Sequence, residues 1–324
     1  MPFAPNKIRV GVLRGGPSPE YDVSLNTGKT ILANLSEPYE PIDILISKDG
    51  AWHERGMEKS PGKILGRLDV VFNGLHGAYG EDGTVQKILE SHKIPYTGSD
   101  ALSSAICMNK IAAKKIYARN GLRSPHSVNI PFESLTRDAI RDAYESVPAP
   151  FAVKPSASGS SVGVYVVHSL GDLEEAVVAA SLHSPSVLIE EFIEGKEATC
   201  GVIDGFRNQD HYTLLPIEIR HGKDFFDYDA KYYDGTEEIS PGNFSESETA
   251  LIKDMALQAH KTLGLRHYSR SDFRVHPRRG VFILETNSLP GLTENSLIPK
   301  SVKAVGSNIK EFLSHLLDIT LKKN

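Results

Sequence analysis

The first hundred residues constrain the fold of this chain most. Short apolar runs recur there, each ending in a glycine-bearing turn. Residues 8–13 (IRVGVL) read as a buried strand that enters a Gly/Pro/Ser loop at 14–20 and then a helix ending near residue 35. Residues 42–46 and 70–73 are two more strands, followed by helical 85–91 and a strand-turn at 94–98. This βαβ rhythm predicts a parallel sheet with helices on its faces.

Beyond it, 109–120 reads as a helix with Gly121 as its C-terminal cap. Strands are expected at 151–154, 164–167 and 187–192, and a helix at 173–181. In the last third, 197–203 and 212–219 read as antiparallel strands, 246–263 and 309–321 as helices, and 268–275 with 281–287 as a hairpin. The segment 221–242 is long, rich in Asp, Tyr and Gly, and without a period, as functional lids or disordered segments are. A length of 324 residues exceeds one compact core and implies two or three domains, with seams near 109 and 194.

The net charge of −5 offers no bulk attraction to nucleic acid or to a membrane. Two cysteines, Cys107 and Cys200, make neither a disulfide framework nor a metal site and read as buried thiols of a reducing compartment. Residues 1–7 carry no signal-peptide core, and no apolar run approaches the ~18 residues of a membrane span. These features predict a cytoplasmic enzyme or binding protein.

Five constellations carry chemistry. In the hairpin, a turn centred between Arg278 and Arg279 sets Asp272 opposite Glu285 and Arg270 opposite Asn287. Side chains alternate along a strand, so all four share a face. Two carboxylates, an amide oxygen and a cation suit Mg²⁺, which prefers oxygen ligands. A solvated face with a surface salt bridge has the same pattern. The segment 154–163 (KPSASGSSVG) follows a strand with a lysine and small residues that could approach phosphate. It is not a P-loop; Gly28-Lys29-Thr30 matches that pattern's tail, but Val23 stands where its first glycine belongs. Glu20 closes the first strand's loop, where an open α/β sheet binds ligands and a carboxylate could hold an ammonium. There it also suits the helix dipole. His76 lies in the glycine-rich turn 73–83 (NGLHGAYGEDG) after the third strand, as a substrate contact or a structural histidine. Lys231 and Tyr232 lie in DYDAKYY within the long segment, where they could close over phosphate and substrate.

In order, the stretches GGPSPEYDVSLNTG, LHGAYGEDGTVQ, KPSASGSSVG, VLIEEFIEGKEAT, FFDYDAKYY, RSDF and LETNSLPGLTENSLIP resemble the D-alanine–D-alanine ligase family of the ATP-grasp superfamily. The resemblance covers residues 10–298. It implies a mixed α/β and α+β, three-domain ATP-grasp architecture. Residues 1–109 would be an N-terminal parallel-sheet (preATP-grasp) domain binding the first D-alanine. Residues 110–193 would be the central ATP-grasp subdomain, and 194–324 the C-terminal one with the Mg²⁺ site and lid.

The resemblance also assigns roles. Glu20 would hold the ammonium of the first D-alanine, linked to Ser160 and Tyr232, with His76 near its carboxylate. Lys110, Lys154 and Lys231 would bind ATP phosphates, and Ser161 would also contact ATP. Glu190, Glu191 and Ile193 would line the adenine pocket, and Glu197 would bind the ribose. Asp272, Glu285 and Asn287 would carry two Mg²⁺ ions, or Mn²⁺. Ser296 and Leu297 would hold the second D-alanine's carboxylate, and Arg270 with the backbone near Gly291 would stabilise the tetrahedral oxyanion. The implied activity joins two D-alanines through an acyl phosphate at the expense of ATP, for the bacterial cell wall, in a cytoplasmic homodimer. D-lactate or D-serine as second substrate, another ATP-grasp ligase, or an inactive nucleotide-binding protein are the alternatives. Arg14 and Glu191 depart from the family pattern, Arg14 standing where the family often has an apolar residue before the paired glycines and Glu191 adding an acid to the adenine hinge, and Ser288-Leu289 varies within the loop after Asn287.

Overall fold

The computed structural model describes residues 7–157, 163–221 and 236–322. β1 (Ile8–Gly15), β2 (Tyr39–Ile46), β3 (Trp52–Glu54), β4 (Met57–Glu58) and β5 (Val70–Asn73) form a first sheet in the order β4-β3-β2-β1-β5. The strands read from the sequence, β2-β1-β5, are parallel, as the βαβ rhythm requires. The short β3 and β4 add an antiparallel edge that the sequence reading leaves out. α1 (Tyr21–Asn34) connects β1 to β2, α2 (Pro61–Leu65) connects β4 to β5, and α3 (Thr84–Ser91) follows β5. Then come α4 (Ala101–Met108) and α5 (Lys110–Arg119), the latter capped by the Asn109 side chain.

β6 (Ser127–Pro131), β7 (Phe151–Pro155), β8 (Tyr165–Val167) and β9 (Ser186–Glu191) make a second, antiparallel sheet in the order β6-β9-β7-β8, with α6 (Arg137–Ser146) and α7 (Leu170–Ser181) packed on it. The third sheet holds β10 (Lys196–Asp204), β11 (His211–Thr213), β12 (Ile217–His221), β13 (Thr236–Ile239), β14 (Tyr268–His276) and β15 (Gly280–Asn287). Its order is β13-β12-β10-β14-β15, with β11 also pairing β10. Residues 212–219, expected as one strand, are two. The break contains Pro216, which has no N–H to give a ladder. α8 (Glu246–Thr262) opens on a Ser245–Glu248 capping box, and α9 (Leu297–Ala304) and α10 (Ile309–Lys322) close the chain. No helix among the described residues is long and apolar enough to cross a membrane.

The strand alternation explains the packing. In β5, Val70 and Phe72 join Val10, Val12 and Ile31 in a core completed by Phe312, Leu316 and Leu317 of α10. Val71 points the other way, into a core with Leu13, Ile44, Ile46, Ile64, Val85 and Leu89. β5, covered on both faces, reads as a continuous apolar run. Likewise α5 packs Ala113 and Tyr117 with Ala198, Cys200 and Val202 of β10 and Ile252, Ala256 and Ala259 of α8.

Gly15 ends β1 at φ +88°, where a Cβ would stand 2.3 Å from the Ile46 carbonyl oxygen. Its N–H donates to the Ser24 hydroxyl, which in turn donates to the Gly74 carbonyl. The turn ties β1 to α1 and to the chain after β5. A Gly15→Ala variant is expected to lose at least about 1–3 kcal/mol of folding stability, read from its denaturant midpoint. An unchanged midpoint would mean the turn relaxes at no cost.

Candidate active site

The β14–β15 hairpin brings four polar residues onto one face. Asp272 pairs with Glu285 and Arg270 with Asn287, as expected from the sequence. The route differs from that expectation. The tight end pairs His276 with Gly280, so the turn is centred on Arg278. A bulge at Leu284 then shifts the register by one residue between Phe273↔Ile283 and Asp272↔Glu285. The bulge is what turns Glu285 to the same face as Asp272.

Asp272 is the hub of this face. Its carboxylate accepts two hydrogen bonds from the Arg270 guanidinium, both at 2.9 Å. It also accepts one from the Thr199 hydroxyl at 2.6 Å and one from the Asn287 amide at 3.1 Å. Burial would lower the Arg270 pKa, but the carboxylates of Asp272 and Glu285 more than offset it, so the guanidinium stays charged. Glu285 is 38% exposed and lies 3.2 Å from Lys110 Nζ, at the start of α5.

The first sheet supplies the opposite wall. Glu20 precedes α1, in the loop leaving β1. His76 follows β5 and is 4% exposed, with Nε2 2.7 Å from the Thr27 hydroxyl and Nδ1 3.5 Å from Glu81. Glu81 also accepts the Gly77 N–H at 2.8 Å. Glu20, His76 and Glu81 thus gather their polar atoms in one cluster. Both walls face a cavity of about 210 Å³. Glu20, His76, Lys110, Arg270, Asp272, Glu285, Asn287 and Gly291, all singled out from sequence, line it. Carboxylates lie at one end, and a cation-flanked oxygen set lies at the other.

The chain that carries this site is similar over most of its length to known proteins. The family model "D-ala D-ala ligase C-terminus" matches residues 126–318, and "D-ala D-ala ligase N-terminus" matches 9–64 and 53–99. A D-alanine–D-alanine ligase of Clostridium botulinum is 37% identical over 97% of this chain and 99% of its own length. The chain belongs to the D-alanine–D-alanine ligase family. Among solved structures, the Bacillus anthracis D-alanine–D-alanine ligase complexed with ATP aligns with TM-score 0.81 at 32% identity, over 97% of this chain and 98% of that one. The VanG D-Ala:D-Ser ligase of Enterococcus faecalis aligns with TM-score 0.86 at 28% identity, over 97% and 99%. The architecture is the ATP-grasp fold that the sequence resemblance implies.

In this D-alanine–D-alanine ligase family member, a second charge centre lies away from the cavity wall. Glu190 of β9 is buried and accepts hydrogen bonds from Lys154 of β7 and Lys114 of α5, both at 2.6 Å. Burial would raise its carboxyl pKa; the two ammonium groups outweigh that and hold it below its usual range. Glu191, one residue on, faces away. Its carboxylate pairs with Arg279 at 2.8 Å and accepts the His126 N–H at 3.0 Å. Ile193 is buried, and Glu197 pairs with Arg274 at 3.0 Å. Arg14, the other departure, pairs with Asp43 of β2 at 2.6 Å.

Ser296 stands beside Gly291, close enough that a Cβ there would meet its hydroxyl at 3.0 Å. That hydroxyl also binds Thr293, and Leu297 begins α9. Ser160, Ser161, Lys231 and Tyr232 lie outside the described residues, as does most of the expected lid. Cys107 and Cys200 are both buried, and burial pushes the Cys200 thiol up to about 12.

Sequence reasoning missed four partners. Glu81 and Thr27 sit inside quoted stretches but gain meaning only from their contact with His76. Lys114 had a local signal: it lies four residues after Lys110, on one helix face. Thr199 closes the quoted stretch VLIEEFIEGKEAT, but β10 pairing alone sets it opposite Asp272.

Proposed function

We propose that this chain joins two D-alanines into D-alanyl-D-alanine, using ATP. The observation that carries the reading is the cavity where Glu20 and Glu81 face Arg270, Lys110, Asp272, Glu285 and Asn287. A carboxylate is a poor electrophile at neutral pH. Transfer of the γ-phosphoryl group to one carboxylate oxygen of the first D-alanine gives an acyl phosphate and releases ADP. The amine of the second D-alanine then attacks the acyl carbon, a proton leaves the nitrogen, and phosphate departs.

In this reading Glu20 and Glu81 hold the first substrate's ammonium, and His76, kept in place by Thr27 and Glu81, contacts its carboxylate. Arg270, fixed by two bonds to Asp272, faces the oxyanion together with the Gly291 backbone. Lys110, Lys154 and Lys231 bind the ATP phosphates, and Ser161 also contacts ATP. Glu190, Glu191 and Ile193 border the adenine, and Glu197 the ribose. Ser296 and Leu297 receive the second carboxylate. Fixed charges of this kind act by positioning and electrostatics, the main sources of rate in phosphoryl transfer.

Mg²⁺ belongs to the same reading. Asp272 and Glu285, with the Asn287 amide oxygen, form a hard-oxygen donor set that fits it, and Glu285 is open to the cavity. The ion would neutralise charge on the phosphoryl oxygens. Mn²⁺ use, a homodimer, a cytoplasmic location and the division at 109 and 193 are carried over from the family resemblance.

Phosphate release from Mg·ATP tests the proposal, comparing D-alanine, L-alanine, and D-alanine with D-lactate or D-serine, with products identified by mass. Release that needs only D-alanine and yields its dipeptide is the expected result. A mixed product would move the specificity to the second substrate. No D-alanine-dependent release would overturn the reading.

A further inference from the structure

A separate cluster lies on the third sheet, on the side turned toward α8. Asp204 ends β10, His211 opens β11 and His260 sits in the last turn of α8. Asp204 Oδ1 is 2.8 Å from His211 Nδ1 and 3.0 Å from His260 Nε2. The three ligand atoms lie within 4.8 Å of one another. None of these residues lines the cavity described above.

We propose that Asp204, His211 and His260 bind a zinc-class divalent metal ion at a site distinct from the ligase cavity. Two imidazoles and one carboxylate, with the fourth position left to water, form a donor set for such an ion. Bonds of ~2.0–2.1 Å in a tetrahedron put ligand atoms about 3.3 Å apart. The two Asp204 spacings need to open by about 0.3–0.5 Å to reach that value, and the two imidazole nitrogens lie within 4.8 Å of each other. His211 is 28% exposed, which gives the ion an entry, while His260 is fully buried.

The surrounding groups orient these ligands, as outer-shell partners do. Asp204 Oδ2 accepts the His267 N–H at 2.6 Å, which leaves Oδ1 to face the two imidazoles. His260 Nδ1 is 2.8 Å from the Ser269 hydroxyl. With Nδ1–H donated to Ser269, the Nε2 lone pair points at the site; a hydroxyl can accept that bond as readily as it donates one. Without an ion, the same hydroxyl donates to Nδ1 and Nε2–H binds Asp204. Ion binding therefore exchanges tautomers and requires no protonated imidazole. The rival is a cluster held by hydrogen bonds alone. It would have the same side chains but retain no metal.

The test is metal retention by the full chain. Protein stripped with chelator is loaded with Zn²⁺ in excess Mg²⁺, which occupies oxygen-rich sites, then desalted and analysed for zinc. One ion per chain is expected in the unmodified protein. His211→Ala and His211→Gln should both lose it, and Ser269→Ala should weaken it about 10–100-fold. His76→Ala should keep it, which separates this site from the Glu20–His76–Glu81 cluster. Zn²⁺ should also raise the melting temperature of the unmodified protein and not that of the His211 variants. The proposal fails if the unmodified protein retains no zinc, if both His211 variants keep it, or if His76→Ala loses it.

Discussion

Asp272→Asn is expected to lower the rate of D-alanyl-D-alanine formation by on the order of 10²–10³-fold while the protein stays folded. Asp272 is the one carboxylate that holds Arg270, Thr199 and Asn287 together. An amide keeps the shape, removes the charge and turns one acceptor into a donor that faces other donors. Arg270 then loses one of the two bonds that fix its direction, and the oxygen set loses half its negative charge. Loss of one charge-assisted contact costs about 1–3 kcal/mol of stability, which lowers the melting temperature without unfolding the chain. The ratio of losses is informative. If Asp272 also holds Mg²⁺, the Mg²⁺ concentration for half-maximal rate rises along with the fall in kcat. Near-normal turnover at saturating Mg²⁺ would remove Asp272 from the chemistry.

Glu190→Ala should have the largest effect on stability, a loss of about 3–5 kcal/mol. The carboxylate is buried and shared by Lys114 and Lys154. Its removal leaves two ammonium groups facing each other with little access to water. A Glu190→Leu, Lys114→Met double variant should recover part of the loss, because apolar packing can replace a buried pair. The pH dependence has a defined sign. The folded pKa of Glu190 is below its ordinary value, so its contribution is complete above the ordinary carboxylate range. It is lost as pH falls through the folded pKa. Unfolding free energies of the unmodified chain and Glu190→Ala should therefore differ at neutral pH and converge in acid. Equal denaturant midpoints at pH 7 would show that the lysines find other partners. A fold retained at normal stability but with weakened ATP use would instead make Glu190 a positioning residue for Lys154.

The sequence by itself determined the parts whose signal is local. Apolar runs announced β1, β2 and β5, and most plainly β5, since a strand buried on both faces has no polar side to alternate with. The ends of these strands placed Glu20 and His76, and strand alternation placed Arg270, Asp272, Glu285 and Asn287 on one face. Seven motifs in order named the family. Tertiary structure decided what depends on pairing between distant segments. The hairpin register was right at the site only because a bulge at Leu284 offset a turn one residue tighter than expected, and a bulge has no single-residue signature. The expected 212–219 strand breaks at a segment containing Pro216, and both pieces still pair with β10, which only the sheet shows.

The charge partners follow the same division. The place of Lys154 at a strand end before a Ser/Gly loop points to a phosphate ligand, but its neighbour Glu190 comes from β9 and its companion Lys114 from α5. Thr199 reaches Asp272 across two strands far apart in sequence. The Asp204, His211 and His260 cluster unites a strand end, a short strand and a helix, and no spacing along the chain announces it. Local sequence fixes which face a side chain takes, because the periods of strand and helix are short-range properties of the backbone. Which faces meet is set by burial of apolar surface over the whole chain, and a charge finds its partner only after that packing is complete.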